Sequence, residues 1–258
     1  MAVIIDHLDL DQVANSGQCF RMEKLDNDGS KSRYRVFSGS DVVEVRDLDN
    51  YVFTFSCTNR EYERVWERYF DVGTDYEYMD SLIPEDDGFL RRAMEYGKGI
   101  RILRQDLWEA SVSFIISQNN NIPRITGILK KICMENGGGF PNPSELMHIL
   151  DRVNVGLGYR ESYLRDLVNT FRTTDMANLY NLPYSDQLRE LMKLKGVGGK
   201  VANCICLYGL HTLDACPIDV WMSRIIEENY GGITPDWMVS EYAGYYQQLC
   251  FYYKRNNR

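Results

Sequence analysis

Lys200 is the residue of this sequence whose type and position point most directly to chemistry. It follows the glycine-rich stretch LKGVGGK and falls in the first turn of a helix that is predicted to begin near Gly199. The positive end of a helix dipole disfavours an ammonium group, so this placement favours the neutral amine, which can act as a nucleophile. The alternative is a solvated lysine that tolerates a small electrostatic penalty.

Asp219 could supply a fixed negative charge near that lysine. It lies nineteen residues after Lys200, in PIDV, where the N-cap of another predicted helix is expected. Backbone N–H donors at a helix start keep a carboxylate ionised and hold it in place, although capping alone would also account for this residue. If the two helices lie side by side, their N-terminal ends bring an amine and a carboxylate to the mouth of one pocket. Cys204 would share the helical face of Lys200.

The glycines before Lys200 suit a different task, which is to bind a phosphate. Gly196 and Gly198 leave backbone N–H groups bare at a turn that leads into a helix. Such groups can hold one phosphate of DNA without reading its sequence. A glycine-capped connector between two packed helices would show the same pattern, so the turn by itself leaves both possibilities open.

Composition restricts the remaining function classes. The chain has 258 residues, of which 44% are hydrophobic and 26% charged, as is typical of a globular protein. Its formal charge of −8 argues against a broad nucleic-acid surface but not against a local one. The seven cysteines form no C-x-x-C pair and only three histidines are present. We therefore expect reduced thiols, no structural metal and no cofactor.

The sequence features that govern localisation point to the cytoplasm. No run of eighteen apolar residues occurs in the chain. The start MAVIIDHLDLDQ carries acidic residues where a secretory signal needs a basic end before its apolar run. We therefore expect a cytoplasmic protein that has no membrane partner.

The elements that must position these residues fall into two groups. Residues 33–57 are rich in valine, tyrosine and phenylalanine with partial alternation, which predicts a meander of antiparallel strands. NSGQCFRMEK followed by LDNDGSKS predicts another strand and a hairpin turn. From Asn59 onward, apolar residues recur at helical spacing in stretches that end at glycine, asparagine or proline, which predicts a helical array.

The predicted fold class is therefore α+β. An N-terminal β-rich domain, residues 1–90, would carry an antiparallel sheet and pack on a mostly α-helical body, residues 91–258. The body would contain a helix-hairpin-helix motif at about 187–209. A cleft would lie between the sheet and the helical body.

Several motifs resemble those of DNA glycosylases. GVGGK followed by the aspartate of PIDV is similar to the glycine-rich loop and aspartate of the helix-hairpin-helix DNA glycosylase superfamily. Further segments, in matching order and over most of the chain, resemble the 8-oxoguanine DNA glycosylase/lyase family within it. These segments are SGQCF at 16–20, GIRILRQD at 99–106, SQNNNIPRITG at 117–127, LGYR at 157–160 and YAGYYQQLCF at 242–251.

The resemblance implies a bifunctional DNA glycosylase/AP lyase that excises 8-oxoguanine in base excision repair. The enzyme would flip the damaged base out of the duplex and into the cleft. Lys200 would attack the sugar C1′, displace the base and form a Schiff base, after which β-elimination nicks the strand. Asp219 would favour the positive charge that develops on the sugar. The expected partner is double-stranded DNA containing 8-oxoguanine, bound by a monomer.

The same resemblance implies the residues of the base pocket. The backbone carbonyl of Gly17 would accept a hydrogen bond from the N7–H that 8-oxoguanine has and guanine lacks. Cys204 and Phe251 would stack on the two faces of the flipped ring, and Gln247 would read its Watson–Crick edge. Because Gln247 and Phe251 are four residues apart, one helix face can present both. Otherwise, an exposed glutamine and a core phenylalanine would be expected.

Further DNA contacts are implied around the vacated base position. Asn119 would enter the space left by the base, and Tyr159 would wedge the stack. Arg124 and Arg160 would contact the opposite cytosine, with a surface salt bridge as the alternative for either arginine. The run NNN at 119–121 is also predicted to lie at a helix end, where asparagine is a common C-cap.

Phosphate contacts are implied at the hairpin residues Gly196, Gly198 and Val201. One position departs from the family pattern. Two residues after the aspartate the family often has a histidine near a phosphate, and this chain has Trp221. Tryptophan can donate one N–H but cannot become cationic, so that contact is not expected in the same form. The short termini favour a compact bacterial or archaeal protein that acts at the nucleoid.

Three other assignments compete with this one. An endonuclease III-like pyrimidine glycosylase usually carries four cysteines in a C-terminal iron–sulfur motif, whereas the tail here has Cys216 and Cys250. An adenine glycosylase of the same superfamily would lack a lysine at position 200. A non-catalytic DNA-binding module would grip phosphates with the hairpin and would need no lysine and aspartate together.

Overall fold

An antiparallel sheet forms the N-terminal part of the computed structural model, which describes residues 1–25 and 32–257. The predicted meander is confirmed, and the residues Ala2–Ile4 add an edge strand that their short sequence does not predict. The hairpin turn predicted in LDNDGSKS falls mainly on residues 26–31, outside the described residues. The strands are β1 Ala2–Ile4, β2 Met22–Lys24, β3 Arg33–Ser38, β4 Asp41–Asp47 and β5 Val52–Phe55, in the order β1-β5-β4-β3-β2.

Side chains alternate across the sheet, as a core on one face requires. Val36, Val45 and Phe55 are buried, and Val45 lies opposite Phe55 in the pairing of β4 with β5. They pack in one cluster with Trp66 and Phe70, which follow the sheet in the chain. The period-two spacing therefore determines which face of the sheet meets the helices.

Helices make up most of the remaining described chain, so the predicted α+β class is confirmed. The helices predicted from DDGFLRRAMEYG onward are confirmed. The helices Leu10–Asn15 and Tyr76–Ser81 are not predicted, because each is six residues long and too short for helical periodicity to show. The helices are α1 Leu10–Asn15, α2 Asn59–Glu61, a π-helical turn Tyr62–Trp66, α3 Glu67–Tyr69, α4 Tyr76–Ser81, α5 Gly88–Tyr96, α6 Leu107–Ser117, α7 Ile122–Glu135, α8 Pro143–Arg152, α9 Arg160–Thr173, a 3-10 helix Met176–Asn181, α10 Tyr184–Leu191, α11 Gly199–Gly209, α12 Val220–Tyr230, a 3-10 helix Asp236–Val239 and α13 Ala243–Asn256.

Helix α6 lies at the centre of the helical body. All its residues from Leu107 to Ile116 are buried, and it packs against α7, α9 and α11. A helix that is buried on every side has no solvent face and is surrounded by other elements. Because α11 carries Lys200, the predicted nucleophile is mounted on one of the best-packed parts of the molecule.

Buried apolar side chains form two clusters among the described residues. The cluster beneath the sheet runs from Ile5 to Phe70 and includes Leu103, whereas the cluster of the helical body runs from Tyr76 to Tyr252. Each part of the molecule therefore has its own apolar core. The predicted domain boundary at residue 90 stays a prediction.

Arg101 connects the two parts by hydrogen bonds, although its side chain is fully buried. Its Nε donates to the carbonyl of Asp6 at 3.0 Å, and its Nη1 donates to the carbonyl of Asp71 at 2.6 Å. Its Nη2 reaches the carboxylate of Asp6 at 2.7 Å, and its guanidinium carbon lies 4.6 Å from the ring centroid of Tyr76. A buried charge is tolerated when its donors are satisfied in this way.

Asp71 is a second connection between the sheet and the helical body. Its Oδ1 accepts from Arg104 Nε at 2.6 Å, and its Oδ2 accepts from the Tyr76 hydroxyl at 2.7 Å. Nε2 of His211, just beyond α11, lies 3.1 Å from Oδ2. Burial alone would raise the pKa of Asp71, but these neighbours outweigh it and the pKa is lowered from its ordinary value. The carboxylate therefore stays ionised at neutral pH.

We expect Arg101→Met to lower the free energy of unfolding by about 3 kcal/mol or more, because the substitution leaves buried carbonyl groups without a donor. The matched control is Arg64→Met, which removes an exposed guanidinium paired with Asp41 and should change stability much less. Urea denaturation followed by tryptophan fluorescence measures both. Equal losses in the two variants would contradict a connecting role for Arg101.

Candidate active site

Lys200 is carried by a hairpin of α10 and α11. Helix α11 begins at Gly199, where predicted, and α10 ends at Leu191. The chain continues through tighter bonds, from Lys193 N to the Glu190 carbonyl at 3.2 Å and from Leu194 N to the Leu191 carbonyl at 3.1 Å. Such 3-10 bonds commonly close the last turn of a helix.

Close packing against α9 holds the turn of this hairpin. Gly196 has a φ of 79°, and a Cβ there would lie 2.2 Å from Cδ2 of Tyr163. Asp166 Oδ2 accepts the backbone N–H of Lys195 at 3.1 Å. Gly198, in contrast, has an ordinary φ of −94° and open space around its Cβ position. Gly196 is therefore required for packing, whereas Gly198 leaves the backbone accessible.

Asp219 caps α12, which confirms the predicted N-cap. Its Oδ1 accepts the N–H groups of Trp221 and Met222, both at 2.9 Å. Lys200 is exposed, and its Nζ lies 5.9 Å from the ring centroid of Phe114 on α6. Lys200 and Asp219 line one pocket. The starts of α11 and α12 therefore bring an amine and a carboxylate together at the same pocket, as predicted.

A narrow pocket gathers six of the predicted site residues from distant parts of the sequence. Two come from helix α11, two from α13, one from the start of α12 and one from the loop after α1. The residues that line it are Gly17, Phe114, Lys200, Cys204, Tyr208, Pro217, Asp219, Gln247, Gln248 and Phe251. The predicted catalytic pair and the predicted base-binding set therefore share one cavity.

Two polar side chains give this narrow pocket its chemical character. Gln247 is buried, and its Oε1 has no hydrogen-bond partner among the described residues. A buried acceptor without a partner is uncommon and calls for an external donor. Burial raises the pKa of Cys204, an effect that nearby Lys200 opposes only in part. The thiol therefore stays protonated at neutral pH, and the thiolate, the nucleophilic form of cysteine, is disfavoured.

Gly17 lies where only glycine fits. Its φ is 85°, a left-handed conformation that side chains disfavour. A Cβ at this position would lie 3.2 Å from Nη1 of Arg255 and 3.3 Å from Cε1 of Phe251. The backbone of the loop after α1 therefore approaches α13 closely at the narrow pocket.

A wider groove of about 990 Å³ opens beside the narrow pocket and shares Lys200 and Asp219 with it. Among the predicted DNA contacts, Asn119, Gly198 and Val201 line it. The side chain of Val201 is buried, so a contact there would use its backbone. The groove is lined by Ser117, Gln118, Asn119, Asn120, Gly198, Gly199, Lys200, Val201, Ile218, Asp219, Val220, Trp221, Ser223, Arg224 and Glu227.

The asparagine run between α6 and α7 differs from its prediction in one respect. Gln118 is the C-cap of α6, and Asn119 follows it with a φ of 46°. Asn121 caps the beginning of α7, where its Oδ1 accepts the N–H of Arg124 at 3.0 Å. The C-cap position of α6 is therefore taken by Gln118, although Asn120 Nδ2 donates to the Ile116 carbonyl in the last turn of that helix at 3.1 Å. Asn121 instead serves as the N-cap of the next helix.

The predicted arginines lie on either side of this asparagine run. Arg160 is buried, and its guanidinium donates to the carbonyl groups of Gln118 and Asn119 and lies 4.5 Å from the Tyr159 ring centroid. Arg124 is exposed and donates to a backbone carbonyl at 3.3 Å. Neither forms a salt bridge within the described residues. Arg160 thus holds the loop that presents Asn119, while Tyr159 stays half exposed and its hydroxyl accepts from Asn119 Nδ2 at 3.3 Å.

Four residues of the narrow pocket are not found by sequence reasoning. Phe114 and Tyr208 belong to buried helix faces, where an aromatic residue is the ordinary core choice. Gln248 donates to the carbonyl of Ser16 at 2.9 Å and accepts from the Tyr208 hydroxyl. The only sequence feature that could have pointed to Gln248 is its position next to Gln247. For Pro217 the only such feature is its place just before a helix.

Other kinds of site are not supported by the described part of the chain. No group of three or more histidine, cysteine, aspartate or glutamate side chains there could hold a metal ion. No helix there combines the length and the apolar character needed to cross a membrane. The seven cysteines are free thiols.

Comparisons with known proteins agree with this geometry. Residues 2–110 match the family model described as 8-oxoguanine DNA glycosylase, N-terminal domain. The N-glycosylase/DNA lyase of Saccharomyces cerevisiae is 33% identical over 89% of this chain and 70% of its own length. The structure of MBOgg1 in complex with a low-affinity DNA ligand is 32% identical, with a TM-score of 0.88, and the match covers 99% of this chain and 95% of that one.

A second solved structure is the Clostridium acetobutylicum 8-oxoguanine glycosylase/lyase in complex with double-stranded DNA that contains cytosine opposite 8-oxoguanine. It is 28% identical to this chain, with a TM-score of 0.86. The match covers 98% of this chain and 93% of the other. The shared fold therefore extends over both the sheet and the helical body.

We expect Gly196→Ala to lower the free energy of unfolding by about 2–4 kcal/mol, because the new methyl group meets the Tyr163 ring and the backbone is left-handed there. Gly198→Ala is the matched control, and its effect should stay within about 0.5 kcal/mol. Chemical denaturation of the two variants tests this. If both glycines proved equally replaceable, the packing against α9 would not be what shapes the turn.

Proposed function

The chain belongs to the 8-oxoguanine DNA glycosylase/lyase family of helix-hairpin-helix glycosylases, and on that premise we propose that Lys200 and Asp219 carry out its reaction. The protein is a bifunctional DNA glycosylase/AP lyase that excises 8-oxoguanine from duplex DNA. The observation that carries the residue assignment is the single pocket in which Lys200 and Asp219 meet Gly17, Gln247 and Phe251.

Lys200 is the proposed nucleophile. Its Nζ forms a bond to C1′ of the sugar as the bond from C1′ to the base breaks, and the base leaves with the electron pair and gains a proton. Opening of the sugar ring then gives a Schiff base, from which β-elimination of the 3′ phosphate nicks the strand. Cys204 next to it is a protonated thiol at neutral pH, so it does not compete for the sugar.

Asp219 is proposed to stabilise the positive charge that builds on the sugar as the base departs. Its carboxylate is held by the N–H groups of Trp221 and Met222, which fix its position. A charge that is already in place needs no reorganisation during the reaction, which is the condition for effective electrostatic catalysis. Capping and catalysis therefore use the same two hydrogen bonds.

Base selection is proposed to depend on two acceptors in the narrow pocket. The carbonyl of Gly17 would accept the N7–H of 8-oxoguanine, whereas guanine would present a lone pair and leave the carbonyl unpaired. The unpartnered Oε1 of Gln247 supports its role at the Watson–Crick edge, which carries N–H donors. Cys204 and Phe251 would contact the two faces of the ring.

The wider groove is proposed to hold the DNA strand that carries the lesion. Backbone N–H groups at Gly196, Gly198 and Val201 would bind a phosphate at the start of α11. At the other helix start, Trp221 replaces the family histidine. The guanidinium carbon of Arg224 lies 5.7 Å from its ring centroid and would supply the positive charge that tryptophan cannot.

The opposite strand is proposed to meet the loop between α6 and α7. Asn119 would fill the vacated position and Tyr159 would wedge the stack. Arg124 is exposed and has one long hydrogen bond, so it can turn to the opposite cytosine at little cost. Arg160 would have to exchange its bonds to Gln118 and Asn119 for a base edge.

We further propose that the protein acts as a monomer at the nucleoid, in the cytoplasm of a bacterium or archaeon. The division into residues 1–90 and 91–258 is likewise proposed, with the cleft between sheet and helices receiving the flipped base. The loop that contains Gly17 and the helix that contains Lys200 lie in these two regions and meet at the narrow pocket, which supports this division.

Borohydride trapping with a duplex that contains one 8-oxoguanine tests the nucleophile. The wild-type protein should form a covalent adduct, and Lys200→Gln should reduce adduct formation by at least about a hundredfold, because among the described residues no other amine lines the pocket. Lys195→Gln, an exposed lysine of the same hairpin, is the matched control and should keep the adduct. An adduct that persists in Lys200→Gln would exclude Lys200 as the nucleophile.

Gln247→Ala tests base reading. We expect excision of 8-oxoguanine to fall by roughly ten- to a hundredfold, because the pocket loses its hydrogen bonds to the base edge. Affinity for an undamaged duplex should change by less than about twofold, since that duplex is bound through its phosphates. Single-turnover excision and fluorescence anisotropy measure the two quantities. Equal losses on damaged and undamaged DNA would count against the assignment.

A further inference from the structure

We infer that Arg255 is a positioning residue for lesion selection, which sets the path of the Gly17 loop and the orientation of the Phe251 ring. The inference rests on the proposed function of the narrow pocket, and it adds a residue that does not line that pocket. Arg255 lies near the end of α13, four residues after Phe251 and eight after Gln247. Residues with this spacing share one face of a helix.

The first contact ties Arg255 to the end of α1. Its Nη2 donates to the carbonyl of Asn15, the last residue of that helix. The last carbonyl groups of a helix have no partner within it, and a cationic donor suits them because the helix dipole is negative there. Asn15 is two residues before Gly17, so this bond determines where the loop begins.

The second contact joins Arg255 to Phe251. The guanidinium carbon lies 5.6 Å from the ring centroid, a distance at which a cation is attracted to an aromatic ring. Nη1 of Arg255 and Cε1 of Phe251 lie 3.2 and 3.3 Å from the position that a Cβ at Gly17 would occupy. The guanidinium, the ring and the loop backbone are therefore packed against one another, and none can shift alone.

Gln248 provides a parallel tether from the same helix. Its Nε2 donates to the carbonyl of Ser16 at 2.9 Å. Arg255 and Gln248 thus hold the carbonyl groups of two successive residues, Asn15 and Ser16, directly before Gly17. The helix that presents Gln247 and Phe251 to the base also aligns the loop whose carbonyl would test the base.

This arrangement matters because the Gly17 carbonyl must distinguish two bases by one hydrogen bond. Such a bond weakens steeply when its distance or angle departs from the favoured range, and misplacement by about 1 Å can cost a hundredfold in rate. Loss of the Arg255 tether loosens the loop and so reduces base selection. Cleavage at a preformed abasic site has no base to read, so it does not depend on the tether.

The experiment compares excision of 8-oxoguanine with nicking of an abasic duplex under single-turnover conditions. Arg255→Met should lower the excision rate about tenfold or more, with abasic nicking within about twofold of wild type. Arg255→Lys keeps a cationic donor and should recover most of the excision rate. Lys254→Met is the matched control, since it removes a neighbouring charge that pairs with Glu228, and it should leave both rates unchanged.

Each other outcome overturns the inference. Arg255 would not act through base selection if Arg255→Met excised 8-oxoguanine at the wild-type rate. The same conclusion would follow if the variant lost excision and abasic nicking to the same extent. A thermal unfolding midpoint measured for each variant separates that second result from loss of folded protein. If the wild-type protein itself nicks abasic DNA but leaves 8-oxoguanine in place, the proposed function fails first, and the inference built on it fails as well.

Discussion

The buried guanidinium of Arg101 is the interaction on which the site geometry depends. It binds backbone groups near β1 and after α3, and it belongs to the segment that leads into α6. Moving the sheet relative to the helices would leave these buried groups unpaired, which costs far more than a shift between two apolar surfaces. Gly17 lies on the sheet side of this connection and Lys200 on the helical side. The connection therefore helps to fix how the two sides of the narrow pocket lie relative to each other.

The proposed reaction site lies at helix starts rather than on a large basic surface. The chain carries a formal charge of −8, yet α11 and α12 direct their N-terminal ends into the groove. Backbone N–H groups supply local positive potential there without adding charged side chains. On the proposed function, this local potential would let an acidic protein bind phosphates at the groove, while the net negative charge repels them from the rest of its surface.

Much of the fold could be predicted from local pattern. Alternation in residues 33–57 and helical spacing from α5 onward gave the correct elements, because each element buries one regular face. The N-cap role of Asp219 could be predicted because capping involves residues within one turn. What could not be predicted depends on distant partners. The pairing of β1 with β5, the carbonyl groups that Arg160 holds and the contact of Gln248 with Ser16 all join segments that the sequence places far apart.

The close approach of the Gly17 loop to α13 also determines when the pocket can form as the chain is synthesised. Along the chain the Gly17 loop comes first, Lys200 comes much later, and the helix that carries Gln247 and Phe251 comes later still. Until that helix docks, the proposed base pocket lacks Gln247 and Phe251. On the proposed function, the chain could select a damaged base only once α13 has been made and has packed against the Gly17 loop.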